Sequence, residues 1–588
     1  MCGIIGIVST NDVGKDMLTA LEKMLYRGVD SSGMAVVSEG KILIRKGVGK
    51  VGEVDRAVRL RDLHGRVGIG HNRWATTGKV SQENAHPHTD CQGKIAVVHN
   101  GIVENFEELK SQLIRDGHRF ASETDTEVIP HLIEQHLQRG FEEAVRKAFL
   151  SLRGRNAFVA LHIDTPAVIA ARKGSPLIVG VGKGEMYIAS DITAFLDHTR
   201  EVMYLDDDEM VVLQEHPVFR SISTGQQVEK RRVVIGWDAQ DAEKGDYPHF
   251  LLKEIMEQKE TIWRAINQKD EDILEIARTI NSAPHTYFTG CGTAGKVCRA
   301  GEYLFSKIAG KHVDVTVASE FPNFEHLLND QSLLIAISQS GETADVLEAI
   351  ERAKKRGTRV LSLVNVEGSS LDRLSDTSVL LKAGPEKAVA STKATTAQLA
   401  LVTLLAYATA GKLRQGKSLL FDVAGEVNDL LNPRYEERVR SLAKRIYKSP
   451  NIFIIGRGAN FPIAQEAAIK IMEVSYIHAQ GFAGGELKHG PLALITPGTP
   501  CIVLVANDEL KEGILVNAQE IKARGGLVIG ISPQNHSVFD EWIRVPDAGD
   551  ASPIVNLIPI QLLAYQLGLL RKTDVDMPRN LSKSVTVK

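Results

Sequence analysis

Up to about residue 212 the apolar positions come in short runs rich in β-branched residues. Among them are CGIIGIVS at 2–9, KIAVVHNG at 94–101, NAFVALHI at 156–163, MYIAS at 186–190 and EMVVL at 209–213. Helical spacing occurs near 16–26 and 126–150, so this part predicts a strand-rich α+β domain. Residues from about 216 to 246 are polar, with a strand or two and no helical period, and predict a connection. Beyond it the pattern becomes apolar strand, Gly-rich turn and long helix, repeated, which predicts parallel α/β sheets. The repetition is literal. Gly290 in YFTGCGT and Gly456 in FIIGRGA stand 166 residues apart, as do Glu320 in ASEF and Glu486 in GGEL. A period this long means two copies of one α/β domain, at roughly 265–412 and 438–572.

At 588 residues the chain is too long for one core, and usual domain sizes suggest about three or four units. Its 70 Lys plus Arg against 73 Asp plus Glu give no bulk field, so neither nucleic acid nor an anionic membrane is an expected partner and phosphate binding must be local. Five cysteines without a C-x-x-C pair argue against a disulfide framework or a zinc ribbon and fit a reducing, cytoplasmic setting. MCGIIGIVST has no basic leader and is not expected to be a secretory signal. No apolar run is read as a membrane span; the longest candidate, 399–410, is read as a buried helix.

Several residues carry candidate chemistry. Removal of Met1 is expected before a residue as small as Cys2, leaving a thiol beside a free α-amine, nucleophile and base in one residue. Asn100 and Gly101 could offer an amide and a backbone N–H to an oxyanion, although Asn-Gly is by default a hairpin turn. Arg73 suits a carboxylate and Asp125 an ammonium, while Asp125 could equally cap a helix. Ser338, Gln339, Ser340 and Thr343 lie on a strand-to-helix turn, where hydroxyls and N–H groups can hold an anion. The second copy has Ala506-Asn507-Asp508 near the equivalent place, so only the first looks built for phosphate. Glu466, Lys470 and Glu473 share one face of an otherwise apolar helix, a stripe expected to face a polar cleft. His489 precedes a Gly-Pro turn and is suited to proton transfer. Lys583 lies in a terminal tail whose Leu581, Val585 and Val587 suggest docking.

Over the first 200 residues, MCGIIGIV, Tyr26-Arg27-Gly28, Arg73-Trp74-Ala75-Thr76, His86-Pro87-His88, His99-Asn100-Gly101 and SETDTE together resemble the N-terminal-nucleophile glutamine amidotransferases. Over the whole length, CGT at 291–293, SQSGET, Val389-Ala390-Ser391-Thr392-Lys393, GELKHGPLALI and the closing PRNLSKSVTV resemble the amidotransferases that feed ammonia to a tandem of sugar-isomerase (SIS) domains. The implied architecture is an α+β N-terminal-nucleophile glutaminase domain of sandwiched sheets at 2–215 and a linker with lead-in helix at 216–264. Two parallel-sheet α/β SIS domains at 265–412 and 438–577 follow, and then a tail at 578–588 that completes the sugar site. The resemblance implies L-glutamine and fructose 6-phosphate as substrates, glucosamine 6-phosphate as product, and a homodimer. No organic cofactor or metal is implied, and His71, His86, His88 and His99 are given structural roles.

By the same resemblance Cys2, Asn100 and Gly101 act on glutamine, which contacts Arg73, Trp74, Thr76 and Asp125, with Trp74 gating ammonia. Thr293, Ser338, Gln339, Ser340, Thr343, Val389, Ser391, Glu466 and Lys470 bind the sugar phosphate. Lys583 forms a Schiff base with the ketose C2, His489 opens the ring, and Glu473 moves a proton between C2 and C1. Val29, Thr77, Ala294 and Lys588 depart from the better-known bacterial pattern and bear on phosphate affinity and closure of the glutamine site. Phosphoribosyl-diphosphate and asparagine-synthetase types of acceptor domain lack their motifs here, and a non-catalytic sugar-phosphate sensor would need neither Cys2 nor Lys583.

Overall fold

A computed structural model describes residues 2–235 and 243–586. The chain forms two compact units, Met1–Glu243 with Ser582–Lys588, and Lys244–Leu581.

The first unit holds an eight-stranded and a seven-stranded sheet, antiparallel at every pairing. Their runs are apolar at consecutive positions because both faces are covered. Ile4 packs with Ala96, Val98 and Val159 between the sheets. Ile5 and Ile7 turn the other way, onto Met17, Leu18 and Leu21 of the helix Gly14–Lys23. In the second sheet Val97 points away from the interface, toward Val128, Ile129 and Val145. Side chains alternate faces along a strand, so this partition defines four layers, helix, sheet, sheet, helix. Two helices, Val51–Val58 and Phe106–Arg115, were not expected from the pattern; both are short.

The segment expected as linker and lead-in helix, 216–264, holds short strands and then helices. Pro217–Ser221 and Gln227–Val228 extend the seven-stranded sheet, and Val233–Val234 forms an edge of the other. These strands lie at or next to a sheet edge and are half solvated, so the polar composition of the segment hides the alternation. Residues 236–242 lie outside the described residues, and helices Phe250–Met256 and Gln258–Ile266 open the second unit.

In that unit the duplication is borne out strand by strand. One parallel sheet runs Asp314–Val317, His285–Gly290, Ser332–Ser338, Arg359–Val364, Thr377–Leu380; the other runs His478–Ala483, Asn451–Gly456, Pro500–Leu504, Leu527–Ser532, Glu541–Arg544, in the same order. The paired glycines Gly290 and Gly456 end equivalent strands, and Glu320 and Glu486 fall in equivalent 3-10 turns. One core joins both halves: it holds Ile335 and Ile454 from the two sheets together with residues of the helices Lys393–Thr409, Asn460–Ser475 and Ser552–Arg571. All 17 residues of Lys393–Thr409 are buried, as expected of a helix without a polar stripe. Gly549–Arg571 is long and apolar enough to cross a bilayer, yet 89% of its most apolar window is buried within the protein, which marks it as a core helix.

Candidate functional sites

Cys2 immediately precedes the central strand Gly3–Ser9, whose neighbour Val67–Arg73 pairs Asn72 with Gly3. This register brings the Cys2 thiol to the chain leaving Arg73: the Trp74 N–H donates to Sγ at 3.2 Å. The other sheet contributes the end of Ile95–Gly101, and Asn100 Nδ2 donates to the Cys2 carbonyl at 3.1 Å. Asn100 and Gly101 are therefore strand residues, paired with Ala157 and Asn156, and not a hairpin turn. Gly101 has φ +134°, and a Cβ there would stand 2.2 Å from the Arg155 carbonyl oxygen, so only glycine fits.

A histidine stack supports the Asn100 amide. His71 and His86 stack at 4.1 Å between ring centroids, and burial lowers the His71 pKa to about 3, which leaves the ring neutral. Its Nε2 lies 3.0 Å from the His99 carbonyl and 3.2 Å from Asn100 Oδ1. Both are acceptors, so the proton belongs on Nε2, and that bond turns Nδ2 of Asn100 toward Cys2. Sequence reasoning gave these histidines structural roles but missed this one, because residues 71 and 100 meet only across the two sheets. Burial also raises the Cys2 thiol above its ordinary pKa, so thiolate formation there calls for a base.

Arg73 is buried, and its guanidinium donates to the Thr77, Gly78 and Lys79 carbonyls. Asp125 is buried and accepts the Val103 N–H at 2.8 Å, which ties two loops together and is not a helix cap. Trp74 is half-buried and Thr76 exposed.

In the second unit Ser338 ends a buried strand and its Oγ accepts the Gly341 N–H at 3.0 Å. Ser340 Oγ accepts from Glu342 N–H at 3.2 Å, and Thr343 precedes the helix Ala344–Lys355. Gly341 has φ +63°, and a Cβ would meet Ser369 Oγ at 2.0 Å. The loop is thereby pinned so that the first turn of the helix, with its unpaired N–H groups, closes it. Gln339 is half-buried there.

The Glu466 stripe is no surface pair. Glu466 is fully buried and Lys470 nearly so. Lys470 Nζ lies 3.3 Å from Glu466 and bonds Glu473 as well. From the other SIS copy, the Thr293 hydroxyl donates to Glu466 at 3.0 Å. Burial pushes the Glu466 carboxyl up to about 7, with Glu473 adding to the shift and Lys470 and Thr293 opposing it. Burial works against the Lys470 charge too, but the two carboxylates outweigh it and hold the ammonium above the usual lysine range.

Ser391 donates to Glu386 at 2.9 Å, while Val389 N–H donates to the Asp576 carbonyl at 2.9 Å. His489 is exposed at the end of the 3-10 turn Gly484–His489, and no hydrogen bond or ion pair among the described residues joins it to the Glu466 array. The tail differs from expectation. Residues 582–588 group with the first compact unit. Leu581 and Val585 are more than 40% exposed, so they supply no apolar docking, while Lys583 is half-buried and Thr586 buried. Val587 and Lys588 lie outside the described residues.

These two units define a class: a glutaminase domain on one chain with a duplicated sugar-isomerase-type domain. The glutamine amidotransferase domain family matches residues 71–197, and the SIS domain family matches 279–408 and 445–571. Glutamine–fructose-6-phosphate aminotransferases (isomerizing) of Pyrococcus horikoshii and Thermococcus kodakarensis are 44% and 43% identical over the full length of both chains. The solved C-terminal domain of the glucosamine-fructose-6-phosphate aminotransferase of Francisella tularensis is 33% identical with a TM-score of 0.53, covering 57% of this chain and all of that one. The chain belongs to the glutamine–fructose-6-phosphate aminotransferase (isomerizing) family.

Proposed function

We propose that this chain converts L-glutamine and fructose 6-phosphate to L-glutamate and glucosamine 6-phosphate. The observation that carries the glutaminase half is the meeting of Cys2, the Trp74 N–H and the Asn100 amide at the ends of two central strands. With Met1 removed, the Cys2 α-amine takes the thiol proton that burial otherwise retains. The thiolate attacks the carboxamide carbon, and Asn100 Nδ2–H with Gly101 N–H hold the oxyanion. The C–N bond breaks, ammonia leaves with the proton, and water hydrolyses the thioester to glutamate. Arg73 and Asp125 hold the substrate's α-carboxylate and α-ammonium, and Trp74 and Thr76 border it, with Trp74 limiting the escape of ammonia.

In the sugar half, Ser338, Gln339, Ser340 and Thr343 hold the phosphate at the helix N-terminus, and Thr293, Val389 and Ser391 contact the sugar. Glu466 and Lys470 fix that site, His489 opens the ring, and Lys583 forms the C2 imine with loss of water. Ammonia displaces the lysine, and Glu473 moves the proton between C1 and C2. The water spent on glutamine equals the water released at C2, so the overall exchange balances. All five cysteines are free thiols, in keeping with a cytoplasmic setting, and a homodimer is the expected assembly.

The test is the Cys2→Ala variant with a glutamine and fructose 6-phosphate assay read by mass spectrometry. It should make no amino sugar from glutamine while still isomerising the ketose phosphate. Borohydride trapping with fructose 6-phosphate should place the adduct on Lys583 and not on Lys470 or Lys488. Loss of both activities in folded Cys2→Ala, or full synthesis in Lys583→Arg, overturns the assignment.

A further inference from the structure

Away from Cys2, the glutaminase unit brings together four side chains from three separate segments. Cys91 lies in the loop between His88–Thr89 and Ile95–Gly101, His118 follows the helix Phe106–Arg115, and His131 and Glu134 stand one turn apart on Val128–His136. Cys91 Sγ, His118 Nδ1, His131 Nδ1 and a Glu134 carboxylate oxygen all lie within 4.8 Å of one another. Sγ is 3.6 Å from His118 Nδ1 and 3.5 Å from His131 Nδ1; Glu134 Oε2 is 3.0 Å and 3.5 Å from the same two nitrogens.

These four distances lie near the edge lengths of a coordination tetrahedron. Zinc bonds of about 2.3 Å to sulfur and about 2.0–2.2 Å to nitrogen and oxygen put S···N edges near ~3.6 Å and N···O edges near ~3.4 Å. The donors are one soft thiol, two imidazoles and one carboxylate, a set that suits zinc better than the all-oxygen cations. Their surroundings match what metal ligands need. His131 is buried, its Nε2 makes no hydrogen bond within normal length, and that nitrogen lies 3.9 Å from the Glu127 carboxylate. Glu127 is itself fixed by the Ala121 and Ser122 N–H groups, both at 2.7 Å. A carboxylate behind a histidine sets which ring nitrogen is free to bind metal. The Arg119 N–H donates to Cys91 Sγ at 3.4 Å and fixes the position of the sulfur. Asp90 accepts from the Lys94 and Ile95 N–H groups at 2.7 and 2.8 Å and so holds the Cys91 loop in place.

We propose that Cys91, His118, His131 and Glu134 form a structural zinc site. Binding exchanges the Cys91 S–H proton, released to solvent, for a sulfur–zinc bond, and all four positions are filled by protein, so the site is closed. It staples the loop at 90–94 and the turn at 116–119 to the helix Val128–His136. The 3-10 turn Asp125–Glu127 leads directly into that helix, so the staple also steadies the segment carrying Asp125. The sequence concealed this group because its members are spread over 43 positions with no C-x-x-C or H-x-x-x-H spacing, and the resemblance implied no metal.

The experiment uses the full chain, stripped with chelator and dialysed against zinc, with cobalt as a spectroscopic probe. Stoichiometric zinc should remain bound, and cobalt should give a thiolate charge-transfer band together with intense tetrahedral visible bands. The band should survive in Cys2→Ala and disappear in Cys91→Ser; Cys91 is exposed, so that substitution leaves the fold intact. Zinc should raise the melting temperature of the parent protein but not of Cys91→Ser. No zinc uptake after dialysis, a thiolate band that persists without Cys91, or equal zinc stabilisation of both proteins overturns the site.

Discussion

Replacing Glu466 by Gln isolates the energetic cost of its buried carboxylate. The carboxyl titrates near 4.5 when exposed and is pushed up to about 7 in the fold, chiefly by burial. Between those values the folded state binds the proton that the unfolded state has already released, so stability falls as pH rises. At about 1.36 kcal/mol per pH unit, the loss reaches roughly 3 kcal/mol above pH 7. Glutamine at this position keeps an acceptor for the Thr293 hydroxyl and carries no charge. Below the unfolded pKa, variant and parent should melt alike. At pH 8 Glu466→Gln should be the more stable by up to that ~3 kcal/mol, a shift of about 4 °C for a unit of this size. Calorimetry at intervals from pH 4 to 8 reads this, with the isomerase-unit transition identified by its shift on adding fructose 6-phosphate. Other titrating groups cancel in the difference between the two proteins. Parallel pH profiles, or a variant that melts lower at pH 8, would refute the claim that a buried, partly protonated Glu466 limits stability there.

Thr293→Val removes the 3.0 Å bond to Glu466; it should cost about 1 kcal/mol and move the Glu466 titration further upward, visible in the same pH series. Lys470→Met leaves Glu466 and Glu473 without their shared ammonium, and denaturant unfolding should show a loss of about 3–5 kcal/mol at pH 8. Gly101→Ala drives a Cβ into the Arg155 carbonyl; glutaminase turnover should drop by about 10²–10³, the usual effect of losing an oxyanion donor, with ketose isomerisation unchanged. Trp74→Ala should still hydrolyse glutamine but yield less amino sugar per glutamate, a ratio read directly by chromatography.

The sequence by itself determined what depends on near neighbours and on repetition. The change from short β-rich runs to strand–turn–helix units marked the two fold classes, and the recurrence of Gly290 at Gly456 marked the duplication, because a strand end needing glycine leaves the same mark in both copies. The stripe of Glu466, Lys470 and Glu473 was legible because helical spacing places those residues on one face. Tertiary structure decided what depends on register between distant segments. Pairing to Asn156 makes Asn100-Gly101 a strand end instead of a turn, and the same two sheets bring His71 against Asn100. The strands at 217–234, at or next to a sheet edge, form because a sheet was there to receive them, not because their polar composition favours strand. Lys470 is held by two carboxylates, with Thr293 of the other copy bonded to one of them, only because a core shared by both copies packs the helix Asn460–Ser475 out of water. Cys91, His118, His131 and Glu134 meet by the same kind of long-range convergence: local pattern fixes the elements, while burial of both sheet faces fixes which of their ends come together.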